Sequence, residues 1–277
     1  DTKYWNISGS GAGVENYTLG PGAVSLAWIR GDANDVDYRV DGDSDVNINY
    51  IDLRYAGWKP WASAWTEVGI DYAMPNPTNK QKEYGGLYEA DNGVMVTGEI
   101  SQDMLGGYNK LVLQYANKGL AQNMVSQGGG WYDMWNYVND ASGYRVINTG
   151  LIPITDKLSF NHVLTWGSAD DTTQFTDKSR LVSLVGRAQY QFTEYVRLIG
   201  EVGGFYQKDT YTDGSSYKQS GEKYTLALGL ADGPDFMSRP ELRVFASYLN
   251  DSEKGQSFED GTANNTWNVG VQVEAWW

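Results

Sequence analysis

The sequence of 277 residues has no cysteine, one histidine and 7 prolines. Absence of thiols suits an oxidising envelope, where stray cysteines are a liability. The one histidine, His162, shares the parity of the apolar Phe160 and Leu164, so it is not placed to serve a nucleophile, which needs an adjacent base. No run of about 18 apolar residues occurs, which excludes a helical membrane protein, and mean hydropathy is -0.50. Bases are also scarce, 21 against 35 acids for a net charge of -14. That balance argues against a nucleic-acid partner. A secretory leader does not open the sequence, so it reads as a mature chain or a fragment.

What the chain does have is glycine (33), tyrosine (20) and tryptophan (11), an abundance that suits aromatic girdles at two membrane interfaces. Its last dozen residues alternate. Trp267, Val269, Val271, Val273, Ala275 and Trp277 fall on one face, and Thr266, Asn268, Gly270, Gln272, Glu274 and Trp276 on the other. In a strand successive side chains point to opposite faces. One apolar and one polar face describe a strand between lipid and water, the signature of a transmembrane β-barrel.

Period-two alternation and turn residues predict 13 strands, near 13–19, 23–30, 47–56, 64–74, 92–101, 109–117, 143–153, 157–168, 180–193, 195–206, 222–231, 240–250 and 265–277. No stretch has a convincing helical period. Short connections alternate with long ones, the latter at 31–46, 75–91, 118–142, 169–179, 207–221 and 251–264, as in a bacterial outer-membrane barrel. A soluble β-sandwich does not require that alternation. The fold class expected is all-β, an antiparallel transmembrane barrel of porin type forming one domain over 1–277. An odd number of strands conflicts with the even number of single-chain bacterial barrels. It also leaves a first strand unpaired in lipid, so N-terminal strands are expected to be missing.

Parity separates the faces. Val24, Leu26 and Trp28; Val68, Ile70 and Tyr72; Val94, Val96 and Ile100; Leu111, Leu113 and Tyr115; Val182 and Leu184; Val196, Leu198 and Val202; Tyr224, Leu226, Leu228 and Leu230; and Leu242, Val244 and Tyr248 make an apolar, lipid-facing set. Their alternating partners carry the charge: Asp52, Arg54, Glu67, Asp71, Glu99, Lys110, Arg187, Arg197, Glu201, Arg243 and Glu274, with the amides Gln114 and Gln189. Since a charge on the lipid face costs about 2–4 kcal/mol at the midplane, these residues belong to the lumen. A ring of one sign selects ions, whereas interleaved acids, bases and amides offer donors and acceptors to a neutral polyhydroxyl solute. The plainer alternative is that they pair across the wall and hydrate the pore.

Aromatics stack on the C–H faces of sugar rings. Trp276 is the sharpest candidate, with a girdle or plug role as alternative. Trp131 and Tyr132 follow three glycines in a long loop, where packing against a neighbouring loop is the alternative. Phe236 and Met237 lie at the short-turn rim, where the girdle is the default. His162 shares the parity of Phe160 and Leu164 and reads as a wall residue. The acidic loop Asp32, Asp35, Asp37, Asp41, Asp43 and Asp45 lacks the spacing of a calcium-binding EF-hand and reads as solvated. No cofactor or metal is expected.

Several ordered segments resemble one family. Tyr4 to Asn16 (YWNISGSGAGVEN), Tyr108-Asn109-Lys110, Val125-Ser126-Gln127-Gly128, Ser238-Arg239-Pro240 with Arg243-Val244-Phe245, and Glu274-Ala275-Trp276-Trp277 resemble the maltoporins and related sugar-specific porins of the bacterial outer membrane. The resemblance covers essentially the whole chain. It implies a barrel of about 18 strands, a homotrimer in outer-membrane lipid, and passive passage of oligosaccharides along an aromatic track with polar flanks. Residues 1–12 would then end a constriction loop. Trp276 matches a track tryptophan, and Trp131 or Tyr132 falls near a track phenylalanine. Met237, beside Phe236, replaces a track tryptophan. Asp1 matches a constriction aspartate, and Lys3 replaces a constriction tyrosine. The expected function is an oligosaccharide channel and not an enzyme, with Arg187, Arg197, Glu201, Arg243 and Glu274 as polar sugar contacts. The alternatives are a general diffusion porin and a plugged structural or adhesin barrel.

Overall fold

The computed structural model describes residues 4, 7–33, 46–83, 88–126, 132–253 and 263–275. Thirteen strands form one antiparallel sheet, each hydrogen-bonded to the next in chain order. They are β1 Ser10–Leu19, β2 Gly22–Ala33, β3 Val46–Trp58, β4 Ala64–Asn76, β5 Gly93–Met104, β6 Gly107–Asn117, β7 Ser142–Pro153, β8 Leu158–Thr173, β9 Thr176–Gln191, β10 Val196–Tyr211, β11 Ser216–Ala231, β12 Glu241–Asp251 and β13 Asn265–Glu274. All thirteen sequence segments are thus strands. β1 starts at Ser10, within the stretch 1–12.

Two expected long loops are absent. β8 to β11 are 16 residues each, and what read as loops at 169–179 and 207–221 are tight hairpins. In the second, the Tyr211 N–H donates to the Ser215 carbonyl at 2.9 Å, and Gly214 takes a φ of +82°. A tilted strand needs about 9–11 residues to cross a bilayer, so these four continue past the membrane on the long-loop side. There both faces meet water, the apolar–polar alternation lapses, and Thr and Tyr sustain the strand instead. The opposite rim is made of short turns. At Leu105-Gly106 both central residues have positive φ, +53° and +77°, the twist that fits a two-residue hairpin.

A one-turn helix, α1 (Asn79–Lys82), was not anticipated. Thr78 caps it and Gln81 bonds back to the Thr78 N–H, a capping box. Within 118–142 lie two 3-10 helices, Lys118–Met124 and Asn136–Asp140.

The faces separate as parity requires. Leu26, Trp28, Val68, Ile70, Leu184, Val202, Leu226, Leu228, Val244 and Val271 point outward and are exposed. Aromatics band both interfaces: Tyr224, Tyr248 and Trp267 run across β11–β13 on the loop side, at ring separations of 6.5 and 5.3 Å, and Tyr190 packs with Phe192 at 5.4 Å on the turn side. His162 stacks beside Phe160, and its Nε2 lies 2.9 Å from Asn148 Oδ1 of β7, a wall position.

The inner face is not uniformly polar. Near the loop rim Val46, Ile48, Tyr50, Ala73, Met95 and Ala116 are buried there, beneath Leu120 and Met124 of the first 3-10 helix. That segment folds into the barrel, so the strands beneath it bury apolar residues on one face while showing apolar residues to lipid on the other. A Cβ at Gly167 of β8 would sit 1.9 Å from the Met124 carbonyl oxygen, so only glycine admits this approach.

Candidate functional site

The lumen wall carries its charge as acid–base sets on neighbouring strands. On β3 and β4, Arg54 Nη2 lies 2.6 Å from Asp52 Oδ2, and Nη1 lies 3.7 Å from Glu67 Oε1. Lys110 of β6 meets Glu99 of β5 at 2.6 Å. Arg187 of β9 meets Glu201 of β10 at 2.6 Å, and Lys223 of β11 approaches the same carboxylate at 3.7 Å. Arg243 of β12 lies 2.6 Å from both Glu241 and Glu274, with Arg239 2.8 Å from Glu274. Antiparallel register sets Glu201 opposite Arg187, whereas it sets Glu67 opposite Glu99 and Glu241 opposite Glu274, like charges that Arg54 with Lys110 and Arg243 compensate from neighbouring positions. Paired signs lower the net field while leaving many hydrogen-bonding atoms toward the pore.

Ahead of β1, Tyr4 crosses the inner face of β5 and β6. Its hydroxyl donates to Glu99 Oε2 at 2.6 Å and accepts from Lys110 Nζ at 3.0 Å, and its carbonyl accepts from Gln114 Nε2 at 2.9 Å. Burial, and then the hydrogen bond to Glu99, push the Tyr4 phenol up to about 12, so it stays a neutral donor. Arg145 of β7 donates to Gln114 Oε1 at 2.9 and 2.7 Å and to the Asn123 carbonyl at 2.9 Å. The same inner-wall network therefore ties down the segment before β1 and the infolded helix. Sequence reasoning missed Tyr4 as a partner and Arg145 altogether. Arg145 lies between Gly143 and Ile147 on its face, which hides the polar parity.

The proposed site residues separate on the structure. Asp1, Lys3, Trp131 and Trp276 lie outside the described residues, as do Asp35 to Asp45 of the acidic loop. Tyr132 is 3% exposed; its ring covers Gly93 and Gly119 and its hydroxyl donates to the Asp91 carbonyl. In this arrangement its ring packs on the loop backbone, the alternative given for this cluster. Arg197 is buried too. It is 1% exposed, and its guanidinium donates to the carbonyls of Gly233 at 2.8 Å, Asp235 at 3.2 Å and Phe236 at 3.4 Å. It holds the β11–β12 turn from a position that water does not reach. The turn it holds presents Phe236, half-buried, and Met237, 55% exposed. Arg187, Glu201 and Glu274 are half-buried on the inner wall, and Arg243 is buried between its two carboxylates.

The sequence profile of the LamB porins matches residues 1–277. The chain belongs to the LamB porin family. It is 87% identical over its whole length to Maltoporin 1 of Klebsiella pneumoniae, 83% identical to Maltoporin 2 of Yersinia pestis and 57% identical to Maltoporin 1 of Aeromonas salmonicida. It covers 66%, 66% and 65% of these relatives, and thus spans just under two thirds of their length. Membership of this family places the strands in the bacterial outer membrane as a barrel wall.

Proposed function

We propose that the protein carrying this sequence is a channel for facilitated diffusion of neutral oligosaccharides, maltodextrins first among them, working as a homotrimer without cofactor or catalysis. The observation that carries this reading is the inner wall of acid–base pairs. Arg187 with Glu201, and Arg243 with Glu241 and Glu274, keep charge balanced while leaving donor and acceptor atoms along the pore. Its near identity over these strands to proteins named maltoporins supports the choice of sugar. Trp276, Trp131, Phe236 and Met237 remain the proposed apolar contacts, with Asp1 and Lys3 at the constriction. Hydroxyls exchange between wall partners as the ring faces slide over apolar side chains.

Ion current through single channels in planar bilayers tests this. Maltose and longer maltooligosaccharides should block the current with affinity rising with chain length. Current unaffected by every sugar tested would leave a general porin.

A further inference from the structure

Away from the turn that carries Phe236, the inner wall of β9–β12 holds a second recess, at the mouth bounded by the extended hairpins. It has a volume of about 490 Å³ and is lined among others by Phe205, Tyr217, Gln219, Lys223 and Glu201. That size is within the range of small-molecule sites.

Its floor is built by glycine. Phe205 of β10 pairs across the sheet with Gly221 of β11. A Cβ on Gly221 would lie 3.3 Å from Phe205 Cε1, so the ring lies over bare backbone. One ring face is used in this way and the other is open, leaving Phe205 42% exposed although it belongs to the inner, water-facing set with Glu201 and Gly203. Packing does not call for a large apolar side chain here. Tyr217 lies on the same face, four residues along β11 from Gly221, roughly 13 Å nearer the tip. Beside the rings stand Gln219, an amide with donors and an acceptor, and Lys223, half-exposed, 3.7 Å from Glu201. Apolar rings rimmed by amide, ammonium and carboxylate match a sugar ring, with apolar C–H faces and a hydroxyl edge.

We propose that this recess is a saccharide subsite at the loop-side mouth, where Phe205 and Tyr217 each stack on a pyranose face while Gln219, Lys223 and Glu201 bond hydroxyls. It rests on the sugar-channel reading and adds to it a first docking point. A long oligosaccharide is bound here before its leading end reaches the narrower pore. Two platforms spaced by several sugar units discriminate chain length: a disaccharide covers one ring and a hexasaccharide both.

The test uses channels of the full-length protein in planar bilayers, with maltohexaose or maltose added on the loop side. Phe205→Leu keeps apolar volume over Gly221 and removes the ring face; Tyr217→Ala removes the outer platform. Each should weaken maltohexaose block about threefold to tenfold, the worth of one stacked aromatic. Phe205→Trp should restore or strengthen it. Wild-type channels blocked by maltohexaose, with both variants blocked equally well, would overturn the subsite while the channel reading stands. Wild-type channels that no sugar blocks would instead remove the channel reading and the subsite with it.

Discussion

At the residue scale the most constrained side chain is Arg197. Three backbone carbonyls converge on one guanidinium that water does not reach. Removing it leaves those buried carbonyls without a donor, at a cost of about 3 kcal/mol, while Glu241 keeps Arg243 and Arg239. Arg197→Met should therefore lower the temperature at which the folded barrel loses its fast electrophoretic mobility and raise open-channel noise as the β11–β12 turn loosens. Unchanged heat stability and a quiet channel would show that the turn holds itself. Tyr4 makes a different prediction. With its phenol raised above the usual value near 10, the folded state favours the protonated form. Its stabilising contribution is complete below pH 10 and is lost as pH rises towards 12. Tyr4→Phe should cost about 1 kcal/mol at neutral pH and flatten the alkaline limb of a stability-against-pH curve; an identical limb would contradict the assignment. Trp276, read from parity alone, should when changed to Ala weaken sugar block about threefold to tenfold with little change in open conductance.

At the scale of elements, the strands were legible because lipid on one side and water on the other impose period two. Where that contrast ends, legibility ends. The tips of β8 to β11 stand in water on both faces, and their Thr- and Tyr-rich sequence read as loop. The infolded helix at Lys118–Met124 was hidden for the opposite reason: it makes the inner wall apolar, so Val46, Ile48 and Met95 carry no polar signal. Its seating depends on the bare backbone of Gly167. Gly167→Val should expel the helix, destabilise the barrel by about 1–3 kcal/mol and raise single-channel conductance. Conductance at or below wild type would mean that the helix does not narrow the pore. In the candidate site, charge parity marked Arg187, Glu201, Arg243 and Glu274 as lumenal. It also marked Arg197 as lumenal without revealing that a turn would cover it. For Tyr132 the sequence left pore platform and loop packing both open, and the ring lies against the bare backbone of Gly93 and Gly119.

For the whole molecule, the claim is a sheet whose two faces divide lipid from a sugar-conducting lumen. With no cysteine in the sequence, single-cysteine variants report on a silent background. Along β10 and β11 the decisive measurement is the rate of labelling by a membrane-impermeant thiol reagent in assembled channels, position by position, with and without maltohexaose. Residues 201, 203, 205, 223 and 225 should react quickly and slow when sugar is present, while 198, 202, 226 and 228 should stay unreactive. Labelling without alternation, or a reactive second set beside a silent first, would contradict the wall itself; alternation that sugar leaves untouched would contradict the cargo.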